Sequence, residues 1–365
     1  MLLLTEYHDR HLHLPNRVVM APMTRLRSRP DGSPTDDVAT YYAQRAEAGL
    51  IVTEGIWPHS SGQSEAWVPG LATDAQTRAW HTVTDAVHRA GGRIFAQLMH
   101  GGRLGHPQAR IDGTVPAGPS AVRPEDPVHL YDGGKAPAPL PRSMTRAEIA
   151  AAVGHYADAA RRAVAAGFDG VEIHGANSYL IHQFLADNTN LRTDEYGGTI
   201  VNRMRFALEV TDAVVAAVGA ERVGVRLSPG NPQFGMREAD PAPLYRALIA
   251  ELDTRRPAYL HLTDNDDYPA LADLRPRWHG TLIANVGENR APTSPAAAER
   301  VLAAGHADLV SFGRAFIANP DLVDRIRHGR KLASVRTDGL YGQGPVGYTD
   351  YPTWAELDRH PARVA

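Results

Sequence analysis

Short apolar runs alternate with amphipathic stretches along almost the whole chain. The runs are RVVMAPM (17–23), LIVTEG (50–55), RIFAQL (93–98), GVEIHG (170–175), RVGVRLS (222–228), AYLHLT (258–263), TLIANV (281–286) and DLVSFG (308–313). Several are apolar at consecutive positions rather than at every second one, which is the pattern of parallel strands covered on both faces. Helical periodicity fills the intervals at 35–49, 74–92, 145–167, 201–219, 241–252 and 294–305, with a last stretch at 319–329. The first opens on Thr35 and Asp36 and ends on Gly49, and Thr145 and Glu148 stand at capping-box spacing. Eight strand–helix units in series predict an α/β fold, a (β/α)8 TIM barrel over 1–365 as a single domain. A doubly wound open sheet is the alternative. The regular spacing favours the barrel, as does the lack of a glycine-rich fingerprint after the first strand. GQGPVG (342–347) does match G-x-G-x-x-G, but it contains Pro345 and no helical pattern follows, so it reads as a loop. Two long irregular stretches, 57–73 and 101–143, fall on the C-terminal face of such a barrel. The second is rich in Pro and Gly and is expected to carry a small hairpin or a lid.

Composition narrows the function. Of 365 residues, 43% are hydrophobic and 22% charged, ample for a large core in a globular protein. A net charge of -3 gives no electrostatic reason to bind nucleic acid or an anionic membrane. With no cysteine there is no disulfide, thiolate metal site or cysteine nucleophile. MLLLTEYHDR is too short in apolar residues for a signal segment or a membrane span, so a cytoplasmic location is expected.

A barrel places its chemistry at the C-terminal ends of its strands. Those ends read Thr24; Glu54 and Gly55; Gln97 and His100; His174 and Asn177; Arg226; Thr263 and Asp264; Gly287; and Gly313 with Arg314. The set is mostly hydrogen-bond donors with two fixed cations. It is poor in carboxylates, against a glycosidase-type acid pair. The 17 histidines leave metal chemistry open by composition, but His174 and Asn177 do not form a ligand pattern and no metal is expected. Gly287, Gly313 and Arg314 suit a phosphate, their backbone N–H groups approaching it and the guanidinium forking onto its oxygens; tight turns and a surface arginine are the plainer reading. Arg226 ends an apolar strand and needs either an internal ion pair or an anionic ligand. Gln97 is open in the same way, to a ligand amide or to a neighbouring strand.

NRVVMAPMTRLRS, IVTEG, AQLMHGGR, GFDGVEIHGANSYLIHQFLADNTNLRTDEYGGTIVNRMRFALEV, VGVRLSP, DLVSFGRAFIANPDLVDRI and GYTDYP run in order almost end to end. Together they resemble the Old Yellow Enzyme family of FMN-dependent ene-reductases, and within it the branch that includes the pentaerythritol tetranitrate, morphinone and N-ethylmaleimide reductases. The resemblance implies non-covalent FMN, with NADPH or NADH as reductant. Thr24 would bond the flavin O4, and Ala21, Pro22 and Met23 would pack on the ring edge. Gly55 and Gln97 would line the flavin, Arg226 would face N1 and O2, and Gly287, Gly313 and Arg314 would hold the phosphate. His174 and Asn177 would hold the carbonyl oxygen of an enone or the nitro group of a nitro-alkene, and Tyr179 would donate the proton. The plainer alternative is that His174 and Asn177 merely cap the following helix. His182 and Gln183, one turn later, read as ordinary helix positions.

The chain also departs from the family pattern. Ser178 stands where relatives have Gly, which would narrow the turn or add a hydroxyl near the site. Met99 replaces a common Trp and would widen the pocket. VGENRAPTSP (286–295) replaces a shorter glycine-rich turn at the phosphate, SPGNPQFGM (228–236) would reshape the substrate pocket, and Tyr341 aligns with a tyrosine placed over substrate. The partner expected is a small molecule and the assembly a monomer or homodimer. Alternatives are a flavoprotein of this fold that performs nitro-ester reduction, oxidation or isomerisation, a barrel that binds FMN without turnover, and a non-redox phosphate-binding barrel.

Overall fold

The computed structural model describes residues 1–264, 268–287 and 292–359. Its centre is a closed barrel of eight parallel strands: β1 Val18–Met20, β2 Leu50–Ile56, β3 Ile94–Leu98, β4 Gly170–Gly175, β5 Val223–Leu227, β6 Tyr259–Thr263, β7 Thr281–Asn285 and β8 Leu309–Phe312. Each pairs with its sequence neighbours, and β8 closes on β1 through Val310 opposite Val18. Every residue of β2, β3, β4 and β5 is buried, as the unbroken apolar runs require. β1 is shorter than its run, because Pro22 has no N–H for a ladder. Residues 21–24 therefore lie beyond the strand, at the C-terminal mouth.

The barrel interior has two unlike layers. At the N-terminal end Val19, Leu50, Val52, Phe95, Tyr259, Ile283 and Leu309 pack together. Tyr7, Leu12 and Leu14 join them from a two-stranded hairpin, Tyr7–His8 with His13–Leu14, that closes this end. The two rings fit because glycines stand opposite them. A Cβ on Gly224 would lie 2.1 Å from the Tyr259 ring, and one on Gly170 2.5 Å from Phe95. Above this apolar plug the inward positions turn polar, with Gln97, Glu172, Arg226, His261, Ser311 and Asn285.

Helices cover the outside. α1 spans Asp36–Ala43, α2 Asp74–Arg89, α3 Arg146–Ala165, α4 Leu180–Leu185, α5 Ile200–Val218, α6 Pro241–Arg255, α7 Ala270–Leu274, α8 Pro295–Ala303, α9 Arg314–Ala318, α10 Leu322–Arg327 and α11 Trp354–Arg359. α3 opens on the Thr145/Glu148 capping box, and α2 on an equivalent Thr73/Gln76 box. Thr35 does not cap α1, since its hydroxyl donates to the Arg27 carbonyl instead. Among the described residues no helix is long and apolar enough to cross a membrane.

The 101–143 excursion contains an antiparallel hairpin, Pro127–His129 with Lys135–Pro137, and a short pair, Ala117–Gly118 with Arg142–Ser143. The hairpin is fastened to the loop after β2. His129 Nδ1 meets Glu65 Oε1 at 2.6 Å, and Gln63 Nε2 donates to the Tyr131 hydroxyl at 2.9 Å.

Candidate active site

The hand-over from β4 to α4 is made by two consecutive residues in the left-handed region, Asn177 at φ 53° and Ser178 at φ 68°. A side chain there is strained, so its surroundings must hold it. They do so from several directions. The Asn177 N–H donates to Ser228 Oγ at 2.8 Å, and the Ser178 N–H to His182 Nδ1 at 3.1 Å. Ser178 Oγ donates to the Gln233 carbonyl. Gln183 Nε2 donates to the carbonyls of Gly101 and Ser178 at 2.9 and 2.8 Å, and its Oε1 accepts from the Arg103 N–H. His182 and Gln183 are thus fully buried ties that hold the turn, not ordinary helix positions. The Ser178 hydroxyl is committed to the loop after β5.

Below this turn lies the polar layer. Glu172 Oε2 bonds His261 Nδ1 at 2.9 Å, and His261 Nε2 bonds Ser311 Oγ at 2.9 Å. Burial alone would raise the Glu172 carboxyl, but His261, its hydrogen bonds and the Arg226 charge outweigh burial and hold it below the ordinary value. An ionised carboxylate only accepts. Gln97 therefore turns its Nε2 toward Glu172 Oε1, at 2.8 Å, with the same nitrogen 3.3 Å from His174 Nδ1. That bond makes His174 Nδ1 the acceptor and leaves Nε2–H as the donor of the ring. Burial, with Arg226, His182 and His261 nearby, pushes the imidazole well below its usual value, so it is neutral. Arg226 is also buried, which lowers it while the Glu172 charge partly restores it. Its Nη2 reaches Thr263 Oγ1 only at 3.5 Å, and its buried Nε has no hydrogen-bond partner among the described residues.

Tyr179 is half-buried, with its ring 5.0 Å from His174 and 6.5 Å from Phe234. Burial raises its phenol, and Glu65 and Tyr341 raise it further. Behind it Met99, Leu26, Trp57 and Val68 form an apolar cluster, so Met99 lies beneath Tyr179 rather than at the open rim. Tyr341 stands at that rim, 51% exposed, with its ring 5.5 Å from His129. It is carried by the 342–347 loop, which is strapped to the segment after β1. Arg25 donates to the carbonyls of Leu340 and Gly347, Arg27 to those of Gly339, Gly344 and Val346, and Gln343 to Leu26.

On the β1 and β2 side, Ala21 is buried while Pro22, Met23 and Thr24 are half-buried. Gly55 admits no side chain, for its Cβ would lie 2.3 Å from Met99 Sδ. Glu54 Oε2 accepts the Arg25 N–H at 3.3 Å, and the Glu54 N–H donates to the Tyr42 hydroxyl at 2.8 Å. Burial pushes this carboxyl up to about 7 against the pull of Arg25 and Arg27. On the opposite side Gly287 follows β7, and Gly313 follows β8 with Arg314 exposed behind it. A Cβ on Gly313 would come within 3.4 Å of Met23 Sδ, so the β8 and β1 ends meet here. In the segment 286–295, residues 288–291 lie outside the described residues.

A family model described as "NADH:flavin oxidoreductase / NADH oxidase family" matches residues 10–333. The chain is 40% identical to 12-oxophytodienoate reductase 7 of Oryza sativa subsp. japonica, with 96% of this chain and 94% of the relative covered. It is 41% identical to a probable flavin mononucleotide-dependent alkene reductase of Leishmania infantum, covering 93% and 94%. Among solved structures, morphinone reductase in complex with tetrahydroNAD superposes with a TM-score of 0.91 at 45% identity, over 96% of this chain and 97% of the other.

Proposed function

The chain belongs to the NADH:flavin oxidoreductase / NADH oxidase family, and from that premise we propose that it reduces the C=C bond of α,β-unsaturated carbonyl or nitro compounds, with FMN as cofactor and NAD(P)H as reductant, in a ping-pong cycle. The observation that carries the reading is a buried arginine, Arg226, whose Nε has no partner among the described residues, beside a strand end and turn that carry His174, Asn177 and Tyr179. The donor set fits a flavin. Arg226 offers a cation, and Gln97, whose Nε2 is spent on Glu172 and His174, offers its Oε1 as an acceptor. Thr24, Ala21, Pro22, Met23 and Gly55 would line the ring, and Gly287, Gly313 and Arg314 would hold the phosphate.

FMN held by these residues would supply the hydride that reaches the β-carbon of the alkene. The residues of the chain do the rest. The His174 Nε2–H and the Asn177 amide would grip the carbonyl oxygen as it gains negative charge, and a donor so placed typically contributes about 3 kcal/mol. His174 is neutral, so it holds its proton at that oxygen. Tyr179, whose raised phenol stays protonated throughout the working range, would deliver its proton to the α-carbon. The names of two relatives, an alkene reductase and an oxophytodienoate reductase, support an activated alkene as the substrate class.

Stopped-flow on the separate half-reactions tests this. Tyr179→Phe should leave FMN binding and reduction by NADPH nearly intact and slow reoxidation by an enone about a hundredfold. The effect should shrink with nitro-alkenes, whose nitronate product is stable enough to leave without the proton. Equal slowing of both halves, or no slowing of either, removes Tyr179 as the proton donor.

A further inference from the structure

We propose that Asn231 is a positioning residue that sets the polarity of the Asn177 amide, so that Asn177 turns its NH2 group, not its oxygen, toward the carbonyl of the substrate. The proposal rests on the reading of Asn177 as a substrate donor.

A primary amide has a donor end and an acceptor end of nearly the same shape. Half a turn about its last bond swaps them at little steric cost, so packing cannot choose between them. For an oxyanion the difference is decisive, because one orientation stabilises the developing charge and the other repels it. The choice must come from a neighbour whose own polarity is fixed.

The loop after β5 supplies one. The Gln233 backbone N–H can only donate, and Asn231 Oδ1 accepts it at 3.0 Å. This turns Asn231 Nδ2 the other way, where it stands 3.2 Å from Asn177 Oδ1. A donor there requires an acceptor, so the Asn177 oxygen is taken and its Nδ2 is left for the site. The sequence of bonds starts from a backbone group and contains no free choice.

The frame is also rigid. The loop is fastened to the very turn it orients, by Ser178 Oγ on the Gln233 carbonyl and by the Asn177 N–H on Ser228 Oγ. Asn188 Nδ2 donates to the Gly235 carbonyl at 2.9 Å, Arg103 to the Phe234 carbonyl at 2.7 Å, and the Gly230 N–H to Glu238 Oε2 at 2.6 Å. Asn231 is therefore held at a set distance from Asn177 while it remains only half-buried itself.

The test uses FMN-loaded protein and para-nitrophenol, a stable oxyanion whose own absorbance reports binding without turnover. In Asn231→Asp the new carboxylate only accepts. It should draw the Asn177 NH2 to itself and turn the oxygen toward the phenolate, weakening the Kd about 30-fold. Asn231→Ala leaves the amide unlocked, and about threefold is expected. Both are repeated in an Asn177→Ala background, which keeps the added charge but lacks the amide to be turned. There Asn231→Asp should change the Kd by less than about threefold. The proposal is overturned if Asn231→Asp leaves the Kd unchanged in the parent, or weakens it by the same factor in both backgrounds, since simple charge repulsion would then account for it. If Asn177→Ala alone leaves the Kd unchanged, the assignment of Asn177 falls and this proposal with it. That failure is distinguishable because it shows in the single variant.

Discussion

Replacing Glu54 by Gln should remove a loss of stability that the protein suffers between about pH 5 and pH 8. The carboxyl is 1% exposed, and burial pushes it up to about 7 from an ordinary value of 4.5. Below the lower value both folded and unfolded chains hold the proton. Between the two, the unfolded chain has released it and the folded chain has not, so each rise in pH favours unfolding. Above the upper value the whole cost is present. The gap from 4.5 to about 7, at about 1.4 kcal/mol per pH unit, amounts to about 3 kcal/mol. Gln has nearly the same shape and keeps an oxygen for the Arg25 N–H, but it does not ionise. Carboxyls held low, such as Glu148 at about 2, act with the opposite sign at lower pH and are the same in both proteins, so they cancel in the difference.

The measurement is urea unfolding of the parent and Glu54→Gln at pH 5, 6, 7 and 8, with FMN at one fixed concentration because ligand binding adds to apparent stability. The variant should gain on the parent as pH rises, by about 2.5 kcal/mol between pH 5 and pH 8 since the rest of the loss falls below pH 5, with the steepest change below pH 7. A difference that stays flat within about 0.5 kcal/mol would refute the assignment of this carboxyl, whatever the absolute stabilities. The site should feel the same titration. Glu54 holds the backbone N–H that follows Thr24, so its ionisation places a negative charge beside the segment proposed to line the flavin.

Much of the architecture was legible because burial leaves a period in the sequence. All eight runs became barrel strands, since a parallel strand covered on both faces is mostly apolar along its length. The strand ends were legible because polar residues there break the run. What escaped were pairings between distant segments. The strap that carries Tyr341 joins Arg25 and Arg27 to carbonyls at 339–347, and no local pattern tells an arginine which carbonyl it will find. The helical ties His182 and Gln183 leave no local signal, because their periodicity is that of any buried face. Glu172 and His261 did leave a signal. They sit two residues from other inward polar positions, His174 and Thr263, within strands otherwise apolar, and that spacing marks a polar layer inside the barrel. The sequence leaves Ser178 either narrowing the turn or adding a hydroxyl near the site, and the hydroxyl is in fact spent on the Gln233 carbonyl.

Three further substitutions test separate parts of the structure. At φ 68° a side chain costs about 1 kcal/mol that Gly does not, so Ser178→Gly should unfold at higher urea than Ser178→Ala, both having lost the hydroxyl bond to Gln233; equal midpoints would mean the turn is relaxed. Met99→Trp should overpack the cluster beneath Tyr179 and lose activity on bulky cyclic enones before small ones, and equal loss on both would separate Met99 from the substrate pocket. Arg226→Ala should weaken FMN binding and slow reduction by NADPH, but it also removes a cation whose charge helps hold the buried Glu172 ionised, and leaves a buried hole, so stability should fall as well. The two effects come apart in Arg226→Met combined with Glu172→Gln, which removes both charges and fills the volume. If Arg226 acts on the flavin, the double variant should regain urea stability and still bind FMN weakly. Recovery of FMN affinity along with stability would show that Arg226 serves the barrel core alone.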